Sequence, residues 1–237
     1  MVISILRLKF TGGEEMIEHS GIQESDAGTN QRKPLLIWGA SGHALVVADI
    51  IRLNSDYSLV GFIDNSPTAA SEFCGLPVFP NLSLAVESTG AADVIFGFGN
   101  CKARLDLEKQ VRTHGLSLAT AIHPSAVIAS DAVIGAGSVI AALAVINPRV
   151  HLGTNVIVNT AASVDHECIV EDAANICPGV RIGGRVHIGR AAFIGIGSSV
   201  RDRVHIGDDA VIGAGSVVVS DIPAGVVAYG NPARVKA

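Results

Sequence analysis

The chain has few aromatic residues, no closely paired cysteines and no excess of positive charge. Only 4% of its 237 residues are Phe, Trp or Tyr, so a core must be built from small aliphatic side chains. Cys74, Cys101, Cys168 and Cys177 form no CxxC pair, which is typical of reduced thiols in a cytosolic protein rather than of a disulfide framework or a zinc finger. A net charge of −5 provides no basic field for nucleic acid or anionic lipid.

Long hydrophobic runs are also missing. The longest uninterrupted apolar stretches fall far below the roughly 18 residues that a membrane-spanning helix needs. The first residues, MVISILRLKF, have a short apolar part and no small-residue cleavage site, which argues against a secretory signal. We therefore expect a cytoplasmic protein that has neither a membrane nor a nucleic acid as its partner.

Three segments differ in their residue patterns. Residues 1–33 include a polar stretch without sustained periodicity and are predicted to form a flexible arm, in which Met16 is a second possible start. Residues 34–121 alternate between strand patterns (PLLIW, YSLVGFIDN, DVIFGFG, SLATAI) and helix patterns (HALVVADIIRL, KARLDLEKQVRTHG). This alternation predicts a small parallel α/β domain of Rossmann type.

The third segment repeats with a period of six. Every sixth position from 122 to 218 is aliphatic, and these anchors are Ile122, Ile128, Ile134, Ile140, Ile146, Leu152, Val158, Val164, Val170, Ile176, Ile182, Ile188, Ile194, Val200, Ile206, Ile212 and Val218. A small or β-branched residue usually stands four places after an anchor, and glycine often comes directly after the anchor. The rhythm predicts a β-solenoid with inward-pointing anchors, in which three hexads form one triangular coil. We assign residues 122–237 to this domain and its C-terminal tail.

The period also places the acidic and basic residues of the stretch VDHECIVED. His166 comes two places after the anchor Val164, at a corner of the coil, so its side chain should leave the solenoid. Residues one coil away are Pro148 and Gly184, which leave room beside the imidazole for a ligand. A solvated surface turn is the alternative explanation for a histidine between two acids.

Several motifs occur in a specific order: GASGHALVV, GFIDN, FGFGN, AIHPSA, SVDHECIVED, NICPGVRIGG and GNPAR. From about residue 34 to the C-terminus, the chain resembles the PglD/NeuD-type sugar acetyltransferases of the hexapeptide-repeat family. The resemblance implies an N-terminal α/β domain followed by a left-handed parallel β-helix, assembled as a homotrimer. It also implies acetyl-CoA as co-substrate and a nucleotide-linked amino sugar, of the 4-amino-4,6-dideoxy type, as acceptor for surface glycan synthesis.

The same resemblance assigns roles in catalysis. His166 would be the general base, and Glu167 would orient it or tune its basicity. An imidazole, whose ordinary pKa is about 6.5, suits proton transfer near neutral pH. Many relatives have a second histidine nine residues after the base, where this chain has Asn175. Asn175 could donate a hydrogen bond near the thioester but could not carry a proton. The predicted acetyl-CoA contacts are Asn175, Gly184, Ile196 and Ala214.

The N-terminal motif GASGH suits a nucleotide diphosphate. It follows a strand and opens a helix, so that backbone N–H groups at the helix N-terminus face an anion. The predicted contacts of the nucleotide sugar are Ser41, Gly42, His43, Asp64, Asn65 and Gly99. NAD is a rival ligand for such a loop, but the full GxGxxG fingerprint is missing and no dehydrogenase catalytic domain follows.

Two other functions remain open, and a third is disfavoured. The same fold and base could acetylate a hydroxyl, as in sialic acid O-acetyltransferases. The trimeric solenoid could also be a scaffold without catalysis. His151, His187 and His205 fall in one outward column and invite comparison with zinc-dependent carbonic anhydrases of the same repeat class. His151 is two layers from the other two, which makes a tetrahedral site hard to close, so no metal is predicted.

Overall fold

The computed structural model describes residues 32–54, 56–66 and 68–236. Apart from Arg32 and Lys33, the predicted N-terminal arm, residues 1–33, lies outside the described residues. From Arg32 onward the chain forms one compact unit, in which an α/β part packs against a β-helix.

The α/β part contains a sheet with strand order β3-β4-β2-β1-β5-β6. All neighbouring strands in it are parallel except β3 and β4. Its elements are β1 Lys33–Trp38, α1 Gly42–Leu53, β2 Tyr57–Ile63, β3 Glu72–Phe73, β4 Leu76–Phe79, α2 Leu82–Thr89, β5 Asp93–Phe96, α3 Cys101–Thr113 and β6 Ser117–Leu118.

The structure differs from the sequence prediction in three places. The strand predicted at 93–99 ends at Phe96, and the next residue, Gly97, packs against the helix α1, where a Cβ would lie 2.8 Å from that of Ala44. The predicted strand SLATAI is divided between β6, which pairs with β5, and the first strand of the β-helix. The elements β3, β4 and α2 were not predicted at all, since each is too short to show a clear period.

The β-helix has three faces made of two-residue strands, closed on its first face by a hairpin. The first face contains β7 Ala121–Ile122, β10 Val139–Ile140, β13 Ile157–Val158, β16 Asn175–Ile176, β19 Phe193–Ile194, β22 Val211–Ile212, β24 Val227–Gly230 and β25 Ala233–Val235. The second face contains β8 Val127–Ile128, β11 Val145–Ile146, β14 Ser163–Val164, β17 Arg181–Ile182, β20 Ser199–Val200 and β23 Val217–Val218. The third face contains β9 Val133–Ile134, β12 His151–Leu152, β15 Ile169–Val170, β18 His187–Ile188 and β21 His205–Ile206.

The predicted register is confirmed from β7 to β23, where paired strands are 18 residues apart, as Ile146 and Val164 are. The aliphatic anchors from Ile140 onward are buried in one continuous core. The turn residue three places after an anchor often adopts a left-handed backbone, as at Glu167 with φ of 58°. This repeated corner geometry sends the side chains of successive coils outward in parallel columns.

The α/β part covers the first face of the β-helix along its N-terminal coils. Helix α1 contributes Val47 and Ile51 to an apolar cluster that also contains Val139 and Ile157, whose side chains point outward from the β-helix. Arg104 of α3 is 1% exposed and donates hydrogen bonds to the carbonyl oxygens of Asn155 (3.3 Å) and Ala173 (2.7 Å) in the β-helix. Apolar burial and a buried guanidinium therefore hold the two parts together.

Candidate active site

His166 lies in the turn between β14 and β15, at the corner where the second face meets the third. Its side chain is 45% exposed, as the hexad position predicted for a residue two places after a buried anchor. The backbone N–H of His166 donates to Oδ1 of Asp165 at 2.7 Å, and the same oxygen accepts from Nδ2 of Asn147 at 2.9 Å. The turn that carries the imidazole is thus tied to the coil before it.

The carboxylate of Glu167 faces the imidazole. Its Oε2 lies 3.1 Å from Nδ1 of His166. A proton on Nδ1 would be donated to Glu167, which leaves the lone pair of Nε2 free to accept a proton from a substrate. The hydrogen bond from His166, followed by the charge of Arg185, lowers the pKa of the Glu167 carboxyl. Glu167 is therefore an anion when His166 acts near neutral pH.

Gly184 lies beside the other edge of the ring. A Cβ at this position would stand 2.6 Å from Nε2 of His166 and 2.7 Å from Cε1. Real Cβ atoms do not approach other atoms so closely, so the missing side chain makes space for the imidazole. The predicted stacking of His166 and Gly184, one coil apart, is thus present in the structure.

Cys168 follows the pair directly and is the nearest thiol in the sequence. It is buried, and its Sγ donates to the carbonyl oxygen of Gly183 at 3.1 Å. Burial raises the pKa of the Cys168 thiol to about 11. The thiol therefore stays protonated and turned inward, so it is a poor nucleophile.

The carboxyl ends of β1, β2 and β5 lie at one edge of the sheet, the edge where ligands bind in sheets of this type, and we call this edge the crevice. The predicted substrate residues collect there: Ser41, Gly42, His43, Asp64, Asn65 and Gly99. Ser41 is the N-cap of α1 and makes no side-chain capping bond. A Cβ on Gly42 would meet nothing within 4 Å, so the space beside this residue is unobstructed. Oδ2 of Asp64 accepts from the Ala40 N–H at 3.2 Å, which joins the ends of β2 and β1.

His43 follows Gly42 in the first turn of α1 and is partly buried. Burial, and then the charge of Arg104, lower the pKa of His43 to about 4. The ring is therefore neutral at physiological pH. Among the described residues its buried Nε2 has no hydrogen-bond partner, so it can offer a polar contact to a bound molecule.

Asn175 connects the crevice to the β-helix. It is 4% exposed, at the start of β16 on the first face. Its Nδ2 donates to the carbonyl oxygen of Gly99 at 3.1 Å. The structure thereby brings together two residues that the sequence assigned to different ligands.

The four predicted acetyl-CoA contacts do not lie together within one chain. Gly184 is at the corner of His166, and Asn175 is on the first face. Ile196 and Ala214 are both exposed and stack one coil apart at the corner between the first and second faces. The assignment of these four residues stays a prediction, and it requires surfaces of more than one subunit to meet.

The crevice and His166 also lie on different sides of the prism. The α/β part covers the first face, and the corner that carries His166 is the one opposite that face. A molecule bound in the crevice would have to cross the β-helix to reach the imidazole of its own chain.

The histidine column of the third face does not form a metal site. The rings of His187 and His205 are 4.7 Å apart in an edge-to-face arrangement, and Nε2 of His187 lies 3.1 Å from Oε1 of Glu171. Ile169 separates His187 from His151 along the column. Within residues 32–54, 56–66 and 68–236, no group of three or more His, Cys, Asp or Glu side chains could hold a metal ion.

No helix in this part of the chain is long and apolar enough to cross a membrane.

The sequence prediction missed three arginines near these sites. Arg149 and Arg185 contact Glu167, and they stand one coil before and one coil after it. The 18-residue spacing that identified Gly184 would have found them. Arg104, which holds the crevice loop against the β-helix, has no such signal, because α3 lies outside the repeat.

Residues 34–111 match the family described as PglD N-terminal domain, and residues 185–220 match bacterial transferase hexapeptide (six repeats). A curated relative, GDP-perosamine N-acetyltransferase of Escherichia coli O157:H7, is 34% identical over 140 residues, which cover 57% of this chain and 63% of that protein. The chain thus spans less than two thirds of this relative's length in the match.

Two solved structures resemble most of the chain. The acetyltransferase domain of PglB from Neisseria gonorrhoeae FA1090, in complex with acetyl coenzyme A, is 34% identical with a TM-score of 0.80, over 86% of this chain and 100% of that one. PerB from Caulobacter crescentus, in complex with CoA and GDP-perosamine, is 35% identical with a TM-score of 0.81, over 86% and 97%. These matches confirm the predicted fold class, an α/β domain followed by a left-handed parallel β-helix.

Proposed function

Because this chain belongs to the PglD-type sugar acetyltransferases of the hexapeptide-repeat family, we propose that it transfers the acetyl group of acetyl-CoA to the amino group of a nucleotide-linked amino sugar. The observation in this chain that carries the proposal is the pair of His166 and Glu167, with Nδ1 and Oε2 3.1 Å apart at an exposed corner. The crystallised relatives bind acetyl-CoA, or CoA with GDP-perosamine, which gives the classes of both substrates.

The chemistry is a direct transfer. The sugar amine attacks the thioester carbonyl carbon, so that a C–N bond forms and the C–S bond breaks. The proton lost by the amine passes to Nε2 of His166 and then to the sulfur of CoA, which leaves as a thiol. Glu167 holds the Nδ1 proton and stabilises the imidazolium while it exists. An enzyme nucleophile is not needed because the thioester is already activated, and the buried Cys168 is a poor candidate for one.

The acceptor binds in the crevice of the α/β part. The first turn of α1, from Gly42, has backbone N–H groups without intrahelical partners, which suit a diphosphate. Asp64 and Asn65 follow β2 and would contact the base or the ribose, and Gly99 would line the opposite wall. GDP-perosamine, a ligand of PerB, is the first acceptor to test. We propose that the protein acts in the cytoplasm, and its four free cysteines support this proposal.

The active site is shared between subunits of a homotrimer in this proposal. Support comes from the position of His166, at the corner opposite the face that carries the crevice. A neighbouring subunit can present its His166 to that crevice, whereas the same subunit cannot. Outward apolar side chains on the second and third faces, Val127, Val133 and Ile169, are about half exposed or more, as expected of surfaces that a second copy covers.

The test is acetylation by the purified protein of a panel of GDP-, UDP- and dTDP-linked 4-amino sugars, measured as release of the CoA thiol. His166→Ala should lower kcat at least about a hundredfold, the usual effect of losing a general base. His187→Ala is the matched control, because it removes another partly exposed histidine of the β-helix that is paired with Glu171 and not with Glu167, and it should keep wild-type turnover. Normal turnover by His166→Ala would rule out the base, and transfer to a hydroxyl analogue alone would rule out N-acetylation.

A further inference from the structure

Three charged residues stand above one another at the corner that carries His166. Arg149, Glu167 and Arg185 occupy the same turn position in successive coils, with φ of 62°, 58° and 59°. Coils stack about 4.8 Å apart, so these side chains leave the corner in parallel and alternate in charge. The arrangement follows from the 18-residue repeat and does not depend on any bound molecule.

Both arginines contact the Glu167 carboxylate that faces the imidazole. Nε of Arg185 lies 2.9 Å from Oε2 of Glu167, the same oxygen that faces Nδ1 of His166. Nη1 of Arg149 lies 3.5 Å from the other oxygen, Oε1. One carboxylate is therefore shared between one imidazole and two guanidinium groups, and both of its oxygens are held.

This sharing affects the charge that His166 experiences. A carboxylate alone beside Nδ1 would stabilise the imidazolium and keep the base protonated near neutral pH. Two guanidinium groups on that carboxylate offset its charge. Asp165 is the other acid of the turn, and its Oδ1 is already occupied by the His166 N–H and by Asn147. Asp131 and His151 line the adjoining cleft with Arg149 and Glu167. Asp202 and Arg203 pair with each other one coil beyond Gly184 and Arg185, and Glu171 pairs with His187 on the third face.

We infer that Arg185, supported by Arg149, is a positioning residue that fixes the Glu167 carboxylate against Nδ1 of His166 and offsets part of the negative charge that the imidazole meets. This inference rests on the proposed role of His166 in acetyl transfer. The lowered pKa of the Glu167 carboxyl, caused first by the hydrogen bond from His166 and then by Arg185, agrees with it.

If Arg185 only supported the fold, its removal would lower the stability of the protein. The Arg185 side chain is 48% exposed, so its removal opens no core and should leave folding intact. Arg203 provides a matched control. It stands one coil further along the same column with φ of 59°, but its partner is Asp202 at 3.7 Å.

The direct test is NMR titration of the histidine rings in the full-length protein labelled with ¹³C at Cε1, with the His166 signal assigned by its loss in His166→Ala. In Arg185→Gln the midpoint of the His166 titration should move upward by about half a pH unit or more, the size expected for removing one nearby, half-exposed charge. Arg185→Lys keeps the charge and should restore most of the wild-type midpoint. Arg203→Gln should leave it in place.

The enzyme assay gives a second readout. With acetyl-CoA and GDP-perosamine, the acid limb of the pH profile of kcat should move upward in Arg185→Gln by the same amount, and much less in Arg203→Gln. In a Glu167→Gln background, Arg185→Gln should change the pH profile little further, because the carboxylate through which Arg185 acts is absent.

An unchanged His166 midpoint in Arg185→Gln would overturn the inference, as would an equal shift in the Glu167→Gln background. Failure of the proposed function looks different. In that case His166→Ala would keep its activity, whatever the titration of His166 shows.

Discussion

The side chain of Asn175 donates a hydrogen bond of 3.1 Å to the carbonyl oxygen of Gly99, and so ties the first face of the β-helix to the loop after β5. The neighbouring carbonyl, that of Phe98, accepts from Nη1 of Arg104 at 3.2 Å. Arg104 is itself bonded to the β-helix. Two consecutive carbonyl groups of the crevice wall are thus held by side chains anchored in the other part of the molecule, and each donor is buried.

We expect Asn175→Asp to weaken this connection. The change removes the donor and places a second acceptor against the Gly99 carbonyl, which should cost about 1–3 kcal/mol in the free energy of unfolding. The KM for the nucleotide sugar should rise more than the KM for acetyl-CoA, because the crevice wall moves. Urea unfolding and steady-state kinetics measure the two effects.

Asn159→Asp is the control for that substitution. The Oδ1 of Asn159 accepts from the Thr160 N–H at 2.8 Å, and an aspartate oxygen can do the same. Equal destabilisation by both variants would contradict a specific role for the bond between Asn175 and Gly99.

Gly184→Ala should displace the base without unfolding the protein. Its Cβ would stand 2.6 Å from Nε2 of His166, so the imidazole must rotate away while the backbone keeps a conformation that alanine accepts. We expect kcat to fall about tenfold or more, since small misplacements of a reacting group have large effects on rate, with little change in melting temperature. In a His166→Ala background the same substitution should have no further effect on kcat, and an additive loss would argue against this mechanism.

Mixed trimers should recover activity from two inactive variants. His166→Ala removes the base, while Gly42→Trp fills the crevice mouth, where a side chain at residue 42 meets no packed neighbour. If each site joins the crevice of one subunit to the His166 of another, random co-assembly leaves about a quarter of the sites intact. Co-expression, purification of the hybrids and measurement of thiol release give the result. Hybrids as inactive as their parents would place the whole site within one chain.

Stability should depend on pH through His43. Its pKa falls from 6.5 to about 4 in the folded protein, so the unfolded chain binds a proton in this range that the native state does not. The free energy of unfolding should therefore decline by up to about 3 kcal/mol as the pH falls from about 6.5 towards 4. Below that pH, His43 should cause no further decline. Urea unfolding between pH 7.5 and 4 should show this decline in the wild type and a smaller one in His43→Gln. Parallel curves for the two proteins would assign the dependence to other groups.

The repeat made much of the candidate site predictable. A period of six decides which residues point into the coil, because an aliphatic anchor must be buried at every turn. A period of 18 decides which residues are neighbours in adjacent coils. These two periods were enough to predict that the His166 side chain points outward and that Gly184 lies beside it. They also determine the stacking of Arg149, Glu167 and Arg185, although it was the structure that drew attention to the arginines.

The placement of the α/β part required the tertiary structure. Docking on the first face depends on the buried Arg104, on the bond from Asn175 to Gly99 and on the fit of α1 against Val139 and Ile157. These residues are far apart in the sequence and follow no common period, so no local pattern relates them. The sequence by itself determined the coil and the columns along its corners, because inside and outside alternate at a fixed spacing. Only the packed structure decided which face carries the crevice, and therefore that His166 lies across the prism from it, because surface complementarity between distant segments leaves no periodic trace.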